Sequence, residues 1–238
     1  MLRRRITAMF WLSKKHGIHT LPAWIISIAA TIGMIDAFFL LLEFIEVLLH
    51  PGEPTPCTVS SLVSCTLTVQ GPYGHYFPGI PNPMWGMLWY AGCVAYGVTR
   101  LLGTEYSRKA RTFVGTILVL GLLFSYRLYL ASVLELGGVC PFCLISTTAS
   151  TLIALAFVVD DARYAGPLLG KRGLIGFRVF QLFSFVAFVF GLPLFIGNGL
   201  RWLPDPMTAI THWSFPVMTL LVIIMASGHW WAWKTMKR

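Results

Sequence analysis

Cysteines stand at positions 57, 65, 93, 140 and 143, and four of the five fall into two pairs. Cys57 and Cys65 are eight positions apart in a stretch rich in Pro, Gly, Ser and Thr, whereas Cys140 and Cys143 enclose only Pro141 and Phe142. The close pair is the more informative. Proline suits the first position of a helix, where its missing N–H costs nothing. Cys140 then falls near the N-cap and Cys143 near the third helical position, beside unsatisfied N–H groups and the positive end of the helix dipole. That environment favours the thiolate, which is the reactive species. A Cys-x-x-Cys bridge closes too short a loop to restrain the unfolded chain much, so redox chemistry explains it better than stapling does. Zinc sites favour close pairs with about two to four intervening residues. Seven residues separate Cys57 from Cys65, and no histidine stands at ligand spacing. No metal site is expected. Cys93 lies within an apolar stretch and reads as a small packing residue.

The elements that carry these cysteines follow from composition. Of 238 residues, 56% are hydrophobic and 11% charged, with a mean hydropathy of +0.72. A soluble globular domain carries about 25% charged residues, so this chain is expected to be an all-α integral membrane protein. A spanning helix needs about 20 mainly apolar residues. Six stretches qualify: Pro22–Leu49, Pro83–Leu102, Thr112–Leu136, Pro141–Val159, Leu174–Leu200 and Phe215–Trp233. Pro193 and Pro216 interrupt or open the last two. Met1–Leu21 lacks the long apolar run and the cleavage site of a secretory signal, and reads as a basic cytoplasmic lead-in.

The basic residues orient the spans. Sixteen of the 18 lie before the first span, between the second and third, between the fourth and fifth, or after the sixth. Only Arg127 and Arg201 do not. By the positive-inside rule both termini are cytoplasmic. The net charge of +9 is then topology, and a nucleic-acid partner is not expected. Both cysteine pairs fall on the outer face of the membrane, where an oxidising compartment lets disulfides persist. The segment His50–Asn82 is an outer loop of a length that is usually functional or disordered. Its cysteine pair is expected to be exposed to a soluble thiol protein. The helix-end pair is at the lip of the bundle, open to a lipid-soluble electron acceptor. Thiol–disulfide exchange through a mixed bridge can join the two.

Other polar residues carry weaker expectations. Asp36 and Arg127 are ionisable groups inside spans, where charge is costly and is usually paired or functional. Their similar depths suggest either an interhelical ion pair or two groups that separately meet water or backbone carbonyls. Glu43 lies two turns above Asp36 on the same face, and it or Glu46 could pass protons. Tyr126 and Tyr129 fit either helix packing or a pocket wall. His50 and His75 read as solvated loop residues. Trp85, Trp89, Trp202, Trp213, Trp230, Trp231 and Trp233 sit near span ends as an aromatic belt. Trp85 is close enough to Asn82 to touch a bound ring.

With these residues in place, the sequence resembles the bacterial homologues of vitamin K epoxide reductase. The likeness rests on Cys57-x7-Cys65 with Val63-Ser64 before Cys65, Gly79-Ile80-Pro81-Asn82-Pro83 with Gly86, and Cys140-Pro141-Phe142-Cys143. It extends from about Leu21 to Val159. The resemblance implies a four-helix quinone-binding bundle, here followed by two additional C-terminal transmembrane helices. It also implies oxidation of a separate thioredoxin-like protein and reduction of a membrane quinone such as menaquinone or ubiquinone, in support of disulfide bond formation. Carried over, Cys57 exchanges with the partner, Cys65 passes electrons to Cys140, and Cys143 faces the quinone. Asn82 donates a hydrogen bond to a quinone oxygen, with Trp85 and Tyr126 as further wall residues. Gly71 stands where many members have Ser or Thr, leaving Thr66 and Thr68 as the nearest hydroxyls. Thr147 replaces an aromatic residue found in the vertebrate enzymes, which bears on quinone preference and inhibitor sensitivity. The membrane protein that reoxidises the periplasmic disulfide oxidase also has two outer pairs, but its Cys-x-x-Cys comes first.

The expected organisation is a basic segment at 1–21, a redox domain at 22–159 with outer loop 50–82, and a tail at 160–238 holding the two extra helices. The expected location is the bacterial plasma membrane, with the redox cysteines outside. The competing class is a membrane scaffold or transporter whose cysteines are structural bridges. A Cys-Pro-Phe-Cys at a helix start argues against it.

Overall fold

The computed structural model describes residues 20–53, 55, 57–58, 63–70, 73–76, 79–162, 171–191 and 214–236. The basic lead-in before residue 20 lies outside them, as do Arg163, Pro193, Arg201, Trp202, Trp213, Lys237 and Arg238. The described chain is helical. The helices are α1 Thr20–Leu49, a short α2 Thr66–Gln70, α3 Asn82–Leu101, α4 Arg108–Leu130, α5 Pro141–Asp160, α6 Lys171–Phe185 and α7 Ser214–Met236. Wider π turns, Ala131–Glu135 and Val186–Gly191, extend α4 and α6. One parallel β-bridge joins Val63 and Val139.

Local chemistry sets the helix starts. Pro81 and Pro83 flank the first residue of α3, and Pro141 opens α5. The Ser107 hydroxyl caps α4 by accepting from the Ala110 N–H at 3.3 Å. Segments Leu21–Leu49, Arg108–Glu135, Pro141–Asp160 and Pro216–Met236 are long and apolar enough to cross a membrane. The chain is a membrane protein. Helix α3, at 20 residues, has the same reach of about 30 Å at 1.5 Å per residue. It carries more polar and aromatic groups because it packs along α1.

Helix α5 is the axis of the molecule, in contact with α1, α4 and α7. Small and hydroxylated residues allow that approach, as is usual where helices pack in lipid. Thr147, Thr148, Ala149, Ser150 and Thr151 are all buried. The Thr147, Thr148 and Thr151 hydroxyls donate to the carbonyls of Cys143, Leu144 and Thr147 at 2.7–2.8 Å, so no donor is left open in the bilayer. On α1, Gly33 admits the ring of Tyr90, which would collide with any Cβ there. The Tyr90 hydroxyl reaches the Ser146 carbonyl at 2.8 Å, tying α3 to α5. Large apolar side chains such as Ile28, Ile32, Leu88, Phe113 and Leu120 instead point outward, as a hydrocarbon solvent requires.

The two ends of the bundle differ in charge. At one end, Asp160 accepts a two-pronged bond from Arg100, with Nε to Oδ2 and Nη2 to Oδ1 both at 3.0 Å. Asp161 pairs with Arg111 beside it. At the other end, Arg127 meets Glu135 at 2.7 Å and lies over the Tyr73 ring. The expected Asp36–Arg127 pair does not form. Arg127 is one turn from the outer end of α4, which packs on α5, and Asp36 is on α1 at a different side of that axis.

Candidate functional site

Four sulfurs form one buried cluster at the end of the bundle opposite the Arg100–Asp160 pair. Cys57, Cys65, Cys140 and Cys143 pack together under Leu40 of α1 and Phe142. Cys57 and Cys65 form a disulfide, while Cys140 and Cys143 are thiols. The Cys140 thiol donates to Cys65 Sγ across 3.6 Å. The two pairs that the sequence separates by 75 positions therefore lie in one line of exchange.

Short backbone tethers produce this meeting. The Ser64 N–H donates to the Val139 carbonyl at 3.2 Å, next to the Val63–Val139 bridge. This fixes the residue before Cys65 against the residue before Cys140. Ser132, in the π turn, donates to the Gly138 carbonyl at 2.8 Å and accepts from the Cys140 N–H at 3.2 Å. Gly137 makes the turn between them with φ +67°, a left-handed conformation that suits glycine. A π turn beside a chemical site is a common association, and here its product is the position of Cys140.

Cys140 caps α5 with its own sulfur, which accepts the Cys143 N–H at 3.3 Å. Burial works against ionisation of this thiol. Hydrogen bonds from the Cys143 and Thr68 side chains and from the Cys143 and Phe142 backbone outweigh it, and Cys140 sits below the usual thiol range. Thr68 also donates to the Cys65 carbonyl at 2.8 Å. It is thus a hydroxyl of this segment that faces the sulfurs.

The loop pair is not exposed as its sequence suggests. Cys57 is 1% exposed and Cys65 fully buried. Hydroxyls of the same loop bond to one another: Thr58 meets Thr66 at 2.7 Å and Ser64 at 3.0 Å, and Thr55 meets Thr66 at 3.2 Å. The four sulfurs pack against Leu40 and Phe142.

The residues expected to hold a ring are distributed differently. Asn82 is buried at the start of α3, with Oδ1 accepting from the Tyr76 N–H at 3.0 Å and Nδ2 donating to the Tyr73 carbonyl at 2.7 Å. It clamps the loop between α2 and α3, leaving one amide hydrogen for another acceptor. Trp85, on the first turn of α3, is 38% exposed. Tyr126 is committed elsewhere. Its hydroxyl meets Ser184 of α6 and Thr151 of α5, and its ring packs on Phe180 and Phe188. Thr151 is eight residues along α5 from Cys143, about 12 Å.

Sequence reasoning missed two groups of residues. Asp160 and Asp161 end an apolar run opposite Arg100 and Arg111, a match that counting only basic residues overlooks. Gln181, Ser184 and His229 form a buried polar patch on α6 and α7, with Ser184 Oγ 2.9 Å from His229 Nε2. A cavity of about 420 Å³ lined by Thr112, Thr116, Leu118, Phe157, Val158 and Asp161 lies between α4 and α5. Phe157 is 14 residues beyond Cys143, about 21 Å, so this cavity does not serve the sulfurs. Among the described residues, no cluster of potential metal ligands occurs.

Asp36 is 4% exposed, and neither of its carboxyl oxygens has a hydrogen-bond partner among the described residues. It lies within electrostatic range of Cys140, Cys143 and Tyr90. Compared with known proteins, residues 24–158 match the model of the vitamin K epoxide reductase family. No curated protein and no solved structure matches the chain.

Proposed function

Because the chain belongs to the vitamin K epoxide reductase family, and is thereby an oxidoreductase of the membrane, we propose that it passes electrons from an extracytoplasmic thioredoxin-like protein to a membrane quinone. The reading extends to a bacterial plasma membrane, with both termini cytoplasmic, the four cysteines outside and the oxidised partner free to form disulfides in other proteins. One observation supports it above the rest: Cys140 Sγ stands 3.6 Å from the Cys65 sulfur of the formed loop disulfide.

The exchange proceeds through sulfur alone. A partner thiolate attacks Cys57 and breaks the Cys57–Cys65 bond, and the partner's second thiol then resolves the mixed disulfide. Cys57 and Cys65 are left as thiols and the partner is oxidised. Cys65 attacks Cys140 in a Cys140–Cys143 disulfide, making a Cys65–Cys140 bond and releasing the Cys143 thiolate. Cys57 attacks Cys65, restores the loop disulfide and releases Cys140. Two electrons and two protons have moved from the partner to the helix-end pair, which is the arrangement of bonds described above. A quinone bound at Cys143 supplies a two-electron acceptor that takes up both protons. Asn82 has one amide hydrogen to offer a ring oxygen, and Leu40 and Phe142 offer apolar cover. Because Cys57 is buried, the partner must part the loop to reach it.

Purified protein is expected to oxidise a reduced thioredoxin-like protein when menaquinone or ubiquinone is present. Cys143→Ala abolishes turnover, whereas Cys93→Ala leaves it intact. A partner whose second cysteine is replaced is expected to remain attached at Cys57 as a mixed disulfide. Turnover surviving Cys143→Ala would overturn the assignment.

A further inference from the structure

Helix α1 presents one face to the sulfur cluster. Leu40 packs on the four cysteines, and Asp36 is one turn further into the bundle on that face. Ala37 beside it meets Gly86 of α3, where a Cβ would come to 3.4 Å. Asp36 is therefore held in a closed seam between α1, α3 and α5. Both its oxygens lack a hydrogen-bond partner among the described residues, although the side chain is 96% buried. The groups facing it are Tyr90 from α3, Cys143 from α5 and Cys140 at the cap of α5. No cation is among them. On its own helix, Glu43 lies two turns outward, and its Oε2 is likewise buried and unpartnered. A carboxyl inside a bilayer without cation or donor is expensive, and such groups mark proton pathways or substrate sites.

The chemistry of the cluster requires such a group. Oxidising two thiols by a quinone moves two electrons and also two protons. The four cysteines are buried, so their protons need a neighbouring group to receive them. Tyr90 does not offer a route, because its hydroxyl is shared between Ser146 and Ser150.

Resting on the function proposed above, we infer that Asp36 is the proton carrier between Cys143 and the electron acceptor. As the acceptor takes up electrons, the neutral Asp36 carboxyl gives its proton to a ring oxygen and receives the Cys143 proton in its place, so atoms and charge balance and the group is regenerated. The second proton comes from the Cys140 thiol.

The test combines a spectrum with a rate. Redox-difference infrared spectra compare the full-length protein with Cys140 and Cys143 as thiols and as a disulfide, driven chemically without quinone. A protonated-carboxyl stretch is expected to change between the two states and to vanish from the difference in Asp36→Asn. In single turnover, Asp36→Asn is expected to slow reoxidation of the helix-end thiols by a short-chain ubiquinone about 100-fold, the scale of general acid–base catalysis, and to flatten its pH dependence. Electron transfer from the partner to the loop disulfide stays within twofold. Identical difference spectra in wild type and Asp36→Asn would overturn the inference, as would an unchanged reoxidation rate and pH profile. If Asp36→Asn does not accumulate as folded protein, Asp36→Glu carries the test. It must keep reoxidation within about tenfold while shifting the carboxyl band, and an unshifted band overturns the inference. A wild-type protein that no quinone reoxidises refutes the proposed function instead, and the infrared comparison still decides the role of Asp36.

Discussion

Two ends of helix α5 treat buried acid in opposite ways. Asp160 is 3% exposed and Asp36, facing the other end, is 4% exposed, so burial does not distinguish them. Partnering does. Asp160 receives a two-pronged guanidinium from Arg100 and its neighbour Asp161 receives Arg111. Asp36 receives no hydrogen bond among the described residues and looks toward sulfur. Buried acid is matched by a cation at the end where helices α3, α4 and α5 are fastened together. At the sulfur end, where the proposed transfer takes place, the buried acid has none facing it. The same bundle thus separates a structural pole from a chemical one, along a single 20-residue helix.

The sharpest way to break this contrast is to unmatch the structural pole. Asp160→Leu strands the Arg100 guanidinium and is expected to cost about 3 kcal/mol. That is the low end for a broken buried pair, because the Arg100 side chain keeps 15% exposure. Adding Arg100→Leu removes the stranded charge and is expected to recover most of the loss. Thermal unfolding in detergent of the two single variants and the double variant reads the coupling; strictly additive losses would mean that the pair does not fasten the helices. At the chemical pole, Asp36→Asn leaves no stranded cation. Its stability is expected to stay within about 1 kcal/mol of wild type, against the large loss of quinone-dependent reoxidation. A stability loss equal to that of Asp160→Leu would make Asp36 a structural acid after all.

A smaller effect separates the sulfurs themselves. Hydrogen bonds hold Cys140 below the usual thiol range against the opposing effect of burial. Its thiolate therefore persists as pH falls below the point where an ordinary thiol is fully protonated, and is lost only through the depressed value. Thr68→Val removes one of those bonds and moves the loss to higher pH. The rate of Cys140 alkylation by iodoacetamide against pH, followed by mass spectrometry on the reduced protein, is expected to show the inflection shifting upward. An inflection that does not move would take Thr68 out of the sulfur site.

The sequence made the helices legible because a bilayer demands long apolar runs, and it made α5's start legible because proline and cysteine have defined places at a helix N-terminus. Cys57, Cys65, Cys140 and Cys143 were legible as two pairs for the same reason. Their burial was not. Thr55, Thr58, Ser64 and Thr66 bond to one another, and a run of hydroxyls reads equally well as a solvated loop. Tyr126 shows the limit differently. Its position on α4 admits a pocket wall, but only the added helix α6 supplies Ser184, Phe180 and Phe188 to hold it. Asp36 announced itself as a charge in a span, while its partner could be assigned only by depth, and depth does not say which side of α5 a helix occupies.

Arg127 supplies the smallest expected effect and the cleanest control for that assignment. It sits at the same end of the bundle as the sulfurs, yet nearly half of its side chain and of Glu135 is exposed. Exposed pairs exchange one set of solvating partners for another and contribute little. Tyr73, which Arg127 covers, donates to the same Glu135, so the three form a surface cluster on the loop that Asn82 clamps. Arg127→Gln is therefore expected to leave the unfolding midpoint and quinone reoxidation unchanged within error, and combining it with Asp36→Asn should add nothing to the latter. If Arg127 were instead the counter-charge of Asp36, the single variant would strand a buried carboxylate and the double variant would relieve it. Unfolding curves for the two singles and the double decide between these outcomes, and only the first is compatible with an acid kept free for proton transfer.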